Sequence, residues 1–320
     1  AAPATEPGGP TGPGAGPPDF VGRRAEIEML LGAPLVPLVH LVGPAGAGKS
    51  ALLAELGRRA PGRVAVGSAL GAAELRLSWL HSALVQLDIR GPAALAVDQA
   101  MAAGRSLTPA ELNGLAEAIT ERGPVLLGVD DAAALDERSV AELGFLVRHG
   151  RGAVCLTVAL RCDAHLRDLP VAGLHDAVVL HLRRLTPAEV RGGADQDAAE
   201  GCGGIPALLA ALHRPRPVAM ATAVHLVGLR TRGLPAAAAR ILRTCATLGP
   251  LRIDQVAGLI ELPVAEVLRC TDELLHAELL DEVPGGRIRH SSELVRAALA
   301  EQVSGAHTNY LRQRLKGSCA

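Results

Sequence analysis

The run Gly43-Pro44-Ala45-Gly46-Ala47-Gly48-Lys49-Ser50 has the residue types and spacing of a loop that grips nucleotide phosphates, G-x-x-x-x-G-K-[ST]. Each fixed position answers a chemical need. The glycines let backbone N–H groups close around phosphate oxygens where a Cβ would intrude. Lys49 sets a point charge against the β- and γ-phosphates. The Ser50 hydroxyl is a ligand for Mg²⁺. Ser50 and Ala51 open a helix whose positive end faces the same anion, so Gly43 through Ala51 form one candidate cradle. A glycine-rich turn that matches by chance is the plain alternative. The apolar run before the loop and the helical pattern after it speak against that alternative.

Two carboxylates, Asp130-Asp131, end the apolar run Pro124–Val129. A phosphate-binding loop needs a carboxylate at a neighbouring strand end to hold Mg²⁺ through its waters, and Asp130 fits. Asp131 points to the other side of the chain and is the candidate base that polarises the attacking water. The competing reading for this pair is a helix N-cap, where Asp is favoured. Arg161 follows the apolar run 153–160 and could reach a γ-phosphate, although a lone Arg after a strand also reads as a surface residue.

These groups need a scaffold. Apolar runs at 35–42, 63–67, 124–131, 153–160 and 177–182 read as strands. Helical patterns fall at 51–56, 75–87, 108–121 and 138–147 between them. Thr108-Pro109-Ala110-Glu111 is a capping-box helix start. Trp79 reads as packing. The alternation predicts an α/β fold with a parallel sheet and helices on both faces. After Thr186 the strands stop. Short helical pieces, broken at Gly192-Gly193, Gly203-Gly204 and Pro215-Arg216-Pro217, lead to helices at 235–248, 253–259 and 263–276. A hairpin at 279–290 and a helix at 292–303 follow, the plan of a winged helix. Residues 1–18, rich in Pro and Gly and without Leu, Ile or Val, read as a flexible linker. The expected partition is therefore linker 1–18, P-loop domain 19–185, helical lid 186–233 and winged-helix-like module 234–320.

Composition narrows the partners. Basic and acidic residues nearly cancel, 32 against 33, so no global charge draws the chain to nucleic acid. Phe20, Trp79, Phe145 and Tyr310 are the whole aromatic complement, too few for a base-stacking platform. The six cysteines include no C-x-x-C pair and read as reduced thiols of a cytoplasmic protein rather than metal ligands. No apolar run reaches membrane-spanning length, and no signal-peptide layout opens the chain.

The order of these motifs resembles the STAND branch of AAA-like ATPases, and within it the ATPase core of the large ATP-binding LuxR-type transcriptional regulators. The resemblance rests on Phe20-Val21-Gly22-Arg23, the loop Gly43–Ser50, Val125–Asp131 with Leu135-Asp136 and Ser139, and Ala159-Leu160-Arg161. Leu185-Thr186-Pro187-Ala188-Glu189-Val190, Gly203-Gly204-Ile205-Pro206 and Arg287–His290 followed by Glu293–Leu299 extend it. It covers about 19–315 and implies ATP/ADP with Mg²⁺ as cofactors. It places Val21, Gly22 and Arg23 beside the adenine, Pro206 near the base, and His290 at an ADP phosphate. An ordinary interdomain histidine is the competing reading for His290. The chain departs from the family at Ala132-Ala133-Ala134, at Ile205 where the turn has Asn, and in the short stretch between Val190 and Gly203.

The leading function is a slow ATP/ADP switch at the core of a transcriptional regulator, with self-association or a signal ligand or protein as further partners. DNA would be reached only through a domain not in this chain, because the 263–276 helix is net acidic: Arg269 and His276 against Glu266, Asp272 and Glu273. Two alternatives stand beside it: a DNA-loading or motor AAA ATPase, and a module that keeps nucleotide without hydrolysing it. A small-molecule kinase is disfavoured by the lack of an acceptor site.

Overall fold

The computed structural model describes residues 20–32, 38–70, 76–150, 154–161, 177–191, 198 and 201–317. The expected linker, Cys162, Cys319 and the Gly192-Gly193 break lie outside these residues. In chain order the first elements are α1 (Arg24–Leu31), β1 (Leu38–Gly43), α2 (Lys49–Arg59), β2 (Val64–Ser68), α3 (Ser78–Gln86), α4 (Pro92–Ala102) and α5 (Pro109–Thr120). β3 (Val125–Asp130), α6 (Glu137–His149), β4 (Val154–Arg161) and β5 (Val178–His181) complete the sheet region.

The five strands pair in parallel in the order β2-β3-β4-β1-β5. Parallel strands are covered on both faces and so read as continuous apolar runs. One face carries the core of α3 to α6, with Trp79, Leu80, Leu115 and Leu143 buried. The other carries α1 and α2, with Leu30, Leu52, Leu53 and Leu56 buried against Val39 and Leu41. From β1 the chain moves toward β2, and from β4 it moves to β5 on the opposite side. A crevice opens at strand carboxyl ends where connections diverge in this way, and the loop 43–50 leaves β1 at that place.

The expected Thr108 cap forms: Glu111 N–H donates to Thr108 Oγ1 at 3.3 Å, and Thr108 N–H to Glu111 Oε2 at 2.7 Å. Helix α4 has no counterpart in the sequence reading. It is Ala-rich and buries only Val97 and Ala100, so its apolar stripe is faint.

Helices α7 (Pro187–Arg191), α8 (Pro206–Leu212) and α9 (Arg216–Arg230) link the sheet to a carboxy-terminal module. The module comprises α10 (Ala236–Leu248), β6 (Leu251–Arg252), α11 (Ile253–Ile260), α12 (Val264–His276), β7 (Leu280–Val283), β8 (Arg287–His290), α13 (Glu293–Ala300) and α14 (Gly305–Gly317). The hairpin turns at Pro284-Gly285-Gly286 as expected, and β6 adds a third antiparallel strand in the order β6-β8-β7. Pro215-Arg216-Pro217 marks a break as expected: α8 ends at Leu212, Pro215 is the N-cap position of α9, and Arg216 begins it. Pro217 sits in the first turn, where no intrahelical N–H bond is lost. One apolar core runs from Leu185 and Val190 through Leu226 and Ile241 to Leu311, so the linking helices and the module are packed as one body. Val21 and Ala45 pack at its border, which brings the phosphate loop to the junction of both cores.

Candidate nucleotide site

Gly46 and Gly48 adopt φ of 78° and 89°, the left-handed region that glycine enters without a Cβ penalty. They turn the chain from β1 into α2, whose N-cap position is Gly48 with no side-chain cap. The first N–H groups of α2 are therefore left for an anion.

The loop's carbonyls are held by protein, one after another. Lys49 Nζ donates to Gly43 O at 2.7 Å and to Pro44 O at 3.1 Å. Ala45 O accepts from Arg230 Nε at 2.9 Å. Gly46 O accepts from Ala207 N–H at 3.2 Å, and Ala47 O from an Arg23 guanidinium nitrogen at 3.3 Å. In a trans peptide the N–H lies opposite the C=O. Anchoring the Ala45 and Ala47 carbonyls into the surrounding protein sets the Gly46 and Gly48 N–H groups on the opposite side, as a phosphate cradle needs, while the Ala47 N–H closes the loop on Pro44 O at 3.2 Å. Ser50 and Ala51, at the start of α2, are exposed.

Asp130 closes β3, two strands from β1, and its Oδ1 accepts the N–H of Asp131 at 3.0 Å. Asp131 has φ 51°, ψ 39° at the head of a short 3₁₀ turn, Ala132–Ala134, and makes no capping bond to it. The N-cap role belongs instead to Asp136. Its Oδ1 accepts Ser139 N–H at 2.9 Å at the start of α6. The helix-capping explanation for the carboxylate pair therefore has another owner. Arg161 stands in register with Gly43, the first residue of the loop. Its backbone is thus beside the cradle, and its side chain is outside what the structure describes.

The segment Val21-Gly22-Arg23 lies against the loop from the other side. Arg23 is buried and left-handed, with φ 60°. Its guanidinium reaches Glu26, Ala47 O and Arg183 O, and its N–H donates to Glu189 Oε1 at 3.1 Å. Burial pushes the Glu189 carboxyl up, but the N–H groups of Thr186 and Arg23 outweigh it and hold the group below its usual range. A Cβ on Gly22 would come within 2.8 Å of Leu185 Cδ2. Pro206 opens α8 directly on the loop, since a Cβ on Gly48 would lie 3.4 Å from Pro206 Cβ.

His290 lies on the carboxy-terminal module. It is buried on β8, its Nε2 shares a 2.9 Å hydrogen bond with Leu242 O of α10, and burial lowers its pKa. Sequence reasoning missed Arg230. Its side chain is 1 % exposed, at the end of α9. Besides Ala45 O it donates to Ala277 O at 2.8 Å and pairs with Glu278 at 3.5 Å. One guanidinium therefore joins the phosphate loop to the α12–β7 turn. A basic residue closing a largely apolar helix was the only signal.

Among the described residues no cluster of His, Cys, Asp and Glu is arranged to hold a metal by itself, and Cys202, Cys245 and Cys270 are free and buried. No described helix is long and apolar enough to cross a membrane.

Residues 19–158 match the family model of the AAA ATPase domain. This part of the chain is thus a nucleotide-binding ATPase core of AAA type, with the P-loop α/β fold described above. No curated protein matches the chain by sequence. Among solved structures it is similar to a signal transduction ATPase with numerous domains (STAND) from Pyrococcus horikoshii that carries a tetratricopeptide-repeat sensor. That likeness has 16% identity and TM-score 0.40, over 93% of this chain and 45% of that one. The chain thus spans under half of that protein. Thermotoga maritima RuvB aligns at 16% identity and TM-score 0.38, over 84% of this chain and 92% of that one. AMPPCP-bound DnaA from Aquifex aeolicus aligns at 14% identity and TM-score 0.36, over 92% of each.

Proposed function

We propose that the chain is an ATP-binding, slowly hydrolysing nucleotide switch of the STAND kind, the regulatory core of a LuxR-type transcriptional regulator. In this reading Gly43–Ala51 hold the phosphates. Ser50 and Asp130 hold Mg²⁺, Asp131 polarises water, and Arg161 meets the γ-phosphate. Val21–Arg23 and Pro206 flank the base. Residues 19–185 act as the ATPase domain, 186–233 as its lid and 234–320 as a winged-helix module. The protein works in the cytoplasm and answers a signal ligand, a protein partner or its own second copy.

The observation that carries this reading is the succession of anchored carbonyls. Ala45, Gly46 and Ala47 are held by Arg230, Ala207 and Arg23, which come from the end of α9, the start of α8 and the amino-terminal box. A loop held by both following segments cannot change shape around a nucleotide without shifting their arrangement. That is the requirement for a nucleotide to select between two states.

The test is ATP affinity and single-site turnover for the wild type, Lys49→Ala and Asp131→Asn. Lys49→Ala is expected to weaken ATP binding at least about 100-fold, the scale of a lost charged contact. Asp131→Asn should keep affinity and lose turnover. Unchanged ATP affinity in Lys49→Ala would overturn the site. Fast turnover stimulated by duplex DNA would replace the switch with a motor.

A further inference from the structure

A cavity of about 1360 Å³ lies between the segment that leaves β5 and the carboxy-terminal module. No residue of the phosphate loop lines it, nor does Asp130 or Asp131. The volume suits an organic molecule rather than a bare ion.

Its wall is rich in charge, and each acid has an arginine partner, with Glu278 Oε2 buried and making no hydrogen bond. Asp281 accepts from Arg184 at 2.7 Å, Glu293 from Arg296 Nε at 2.7 Å, and Glu278 is paired with Arg230. Two guanidinium groups on the wall, Arg183 and Arg289, are exposed and have no side-chain partner among the described residues. His290 also lines the cavity. It is 7% exposed, with its Nδ1 buried and unpartnered. With Nε2–H donated to Leu242 O, the neutral ring leaves Nδ1 as an acceptor, and burial favours the neutral ring. An acceptor of this kind matches a hydroxyl, while free guanidinium groups match a carboxylate or phosphate.

The cavity is joined to the phosphate loop by one short turn. Gly203 and Gly204 line it at φ 59° and 73°. A Cβ on Gly203 would sit 2.0 Å from Ser291 O, and one on Gly204 2.3 Å from Leu185 O, so the turn is clasped by both walls. Two residues on, Pro206 touches Gly48 and Ala207 N–H bonds Gly46 O.

We propose that this cavity binds a small hydroxylated organic anion, its acid group on Arg183 and Arg289 and a hydroxyl on His290, and that occupancy is felt at the phosphate loop through Gly203–Ala207. The binding site stands apart from the switch reading; the coupling rests on it. Isothermal titration of the full chain with citrate and, separately, glucose 6-phosphate, without Mg²⁺, tests the site and separates carboxylate from phosphate preference. At least one probe should bind saturably at one per chain. The double variant Arg183→Ala/Arg289→Ala should weaken it at least tenfold, and Lys49→Ala should leave it within twofold. Both arginine side chains are exposed, and the Arg183 carbonyl that serves Arg23 is kept, so the fold should survive. Saturable binding by neither probe overturns the site. So does binding that Lys49→Ala abolishes and the arginine pair leaves intact, because the anion then sits in the phosphate loop. ATP affinity of the same proteins, measured in parallel, reports on the nucleotide site independently. A bound probe should change ATP dissociation at least twofold; an unchanged rate overturns the coupling alone.

Discussion

The phosphate loop has a sheet side and a helix side, and they are secured by different physics. On the sheet side, β1 and α2 sit in a core of fully buried Leu and Val, with Leu41, Leu52, Leu53 and Leu56 at 0% exposure. That hold is non-directional and shared among many side chains. On the helix side, Ala45 and Gly46 are each held by one hydrogen bond from a distant residue. That hold is directional and breakable one bond at a time. A loop built this way keeps its shape relative to the sheet while its attachment to the following helices can be exchanged. The asymmetry suits a device in which nucleotide contacts compete with, or reinforce, a few specific bonds.

The largest expected effect comes from breaking the sheet side. Leu53 is fully buried, and its Cδ2 lies 3.1 Å from where a Cβ on Gly128 would stand, so α2 is seated directly on β3. Leu53→Ala should cost about 2–5 kcal/mol of unfolding free energy, the range for a buried leucine that leaves a cavity. Urea titration followed by circular dichroism measures it. A loss under about 1 kcal/mol would mean that the sheet side is not the rigid half.

Breaking the helix side should do less to global stability and more to local opening. Arg230→Ala leaves Ala45 O and Ala277 O without the donor they share, about 1–3 kcal/mol for each buried acceptor. Amide exchange should rise roughly 10-fold or more for residues near Gly46 and Glu278, while β3 and β4 keep their protection. Arg230→Lys should recover only part, since an ammonium lacks the fork that reaches both carbonyls. Equal deprotection of β3 would erase the distinction between the two sides.

The same division explains what could be read from the sequence. The cradle, the Asp130-Asp131 strand end and the Thr108 cap are contiguous stretches in which local chemistry dictates local shape. Arg230 and Glu189 act across 185 and 166 residues of chain, on Ala45 and Arg23, and no local pattern marks such pairs. His290 matched a family position, yet its ring is fixed by Leu242 O, a carbonyl of another helix. Helix α14 escaped because it buries only Leu311, with Leu315 partly covered, and is otherwise mostly polar. The break at Pro215-Arg216-Pro217 was legible because proline suits a helix start and not its interior.

Acid offers the finest discrimination between the two sides. The two bonds on the helix side end on backbone carbonyls, which do not titrate. On the sheet side, Glu55 of α2 is 6% exposed and accepts from Arg58 and Arg59 at 2.7 Å, chiefly the Arg58 hydrogen bond lowering its pKa to about 2. A folded-state pKa below the unfolded value, about 4.3, gives stability that is present above pH 4.3 and lost as pH falls toward 2. Glu55→Gln should therefore destabilise by about 1 kcal/mol at pH 7, a modest figure because Arg58 is largely in water. The gap between wild type and variant should close steadily from about pH 4.5 to pH 2. Thermal melts across that range measure it. A gap that stays constant down to pH 2 would show that Glu55 contributes by packing rather than charge, and that the sheet side is apolar throughout.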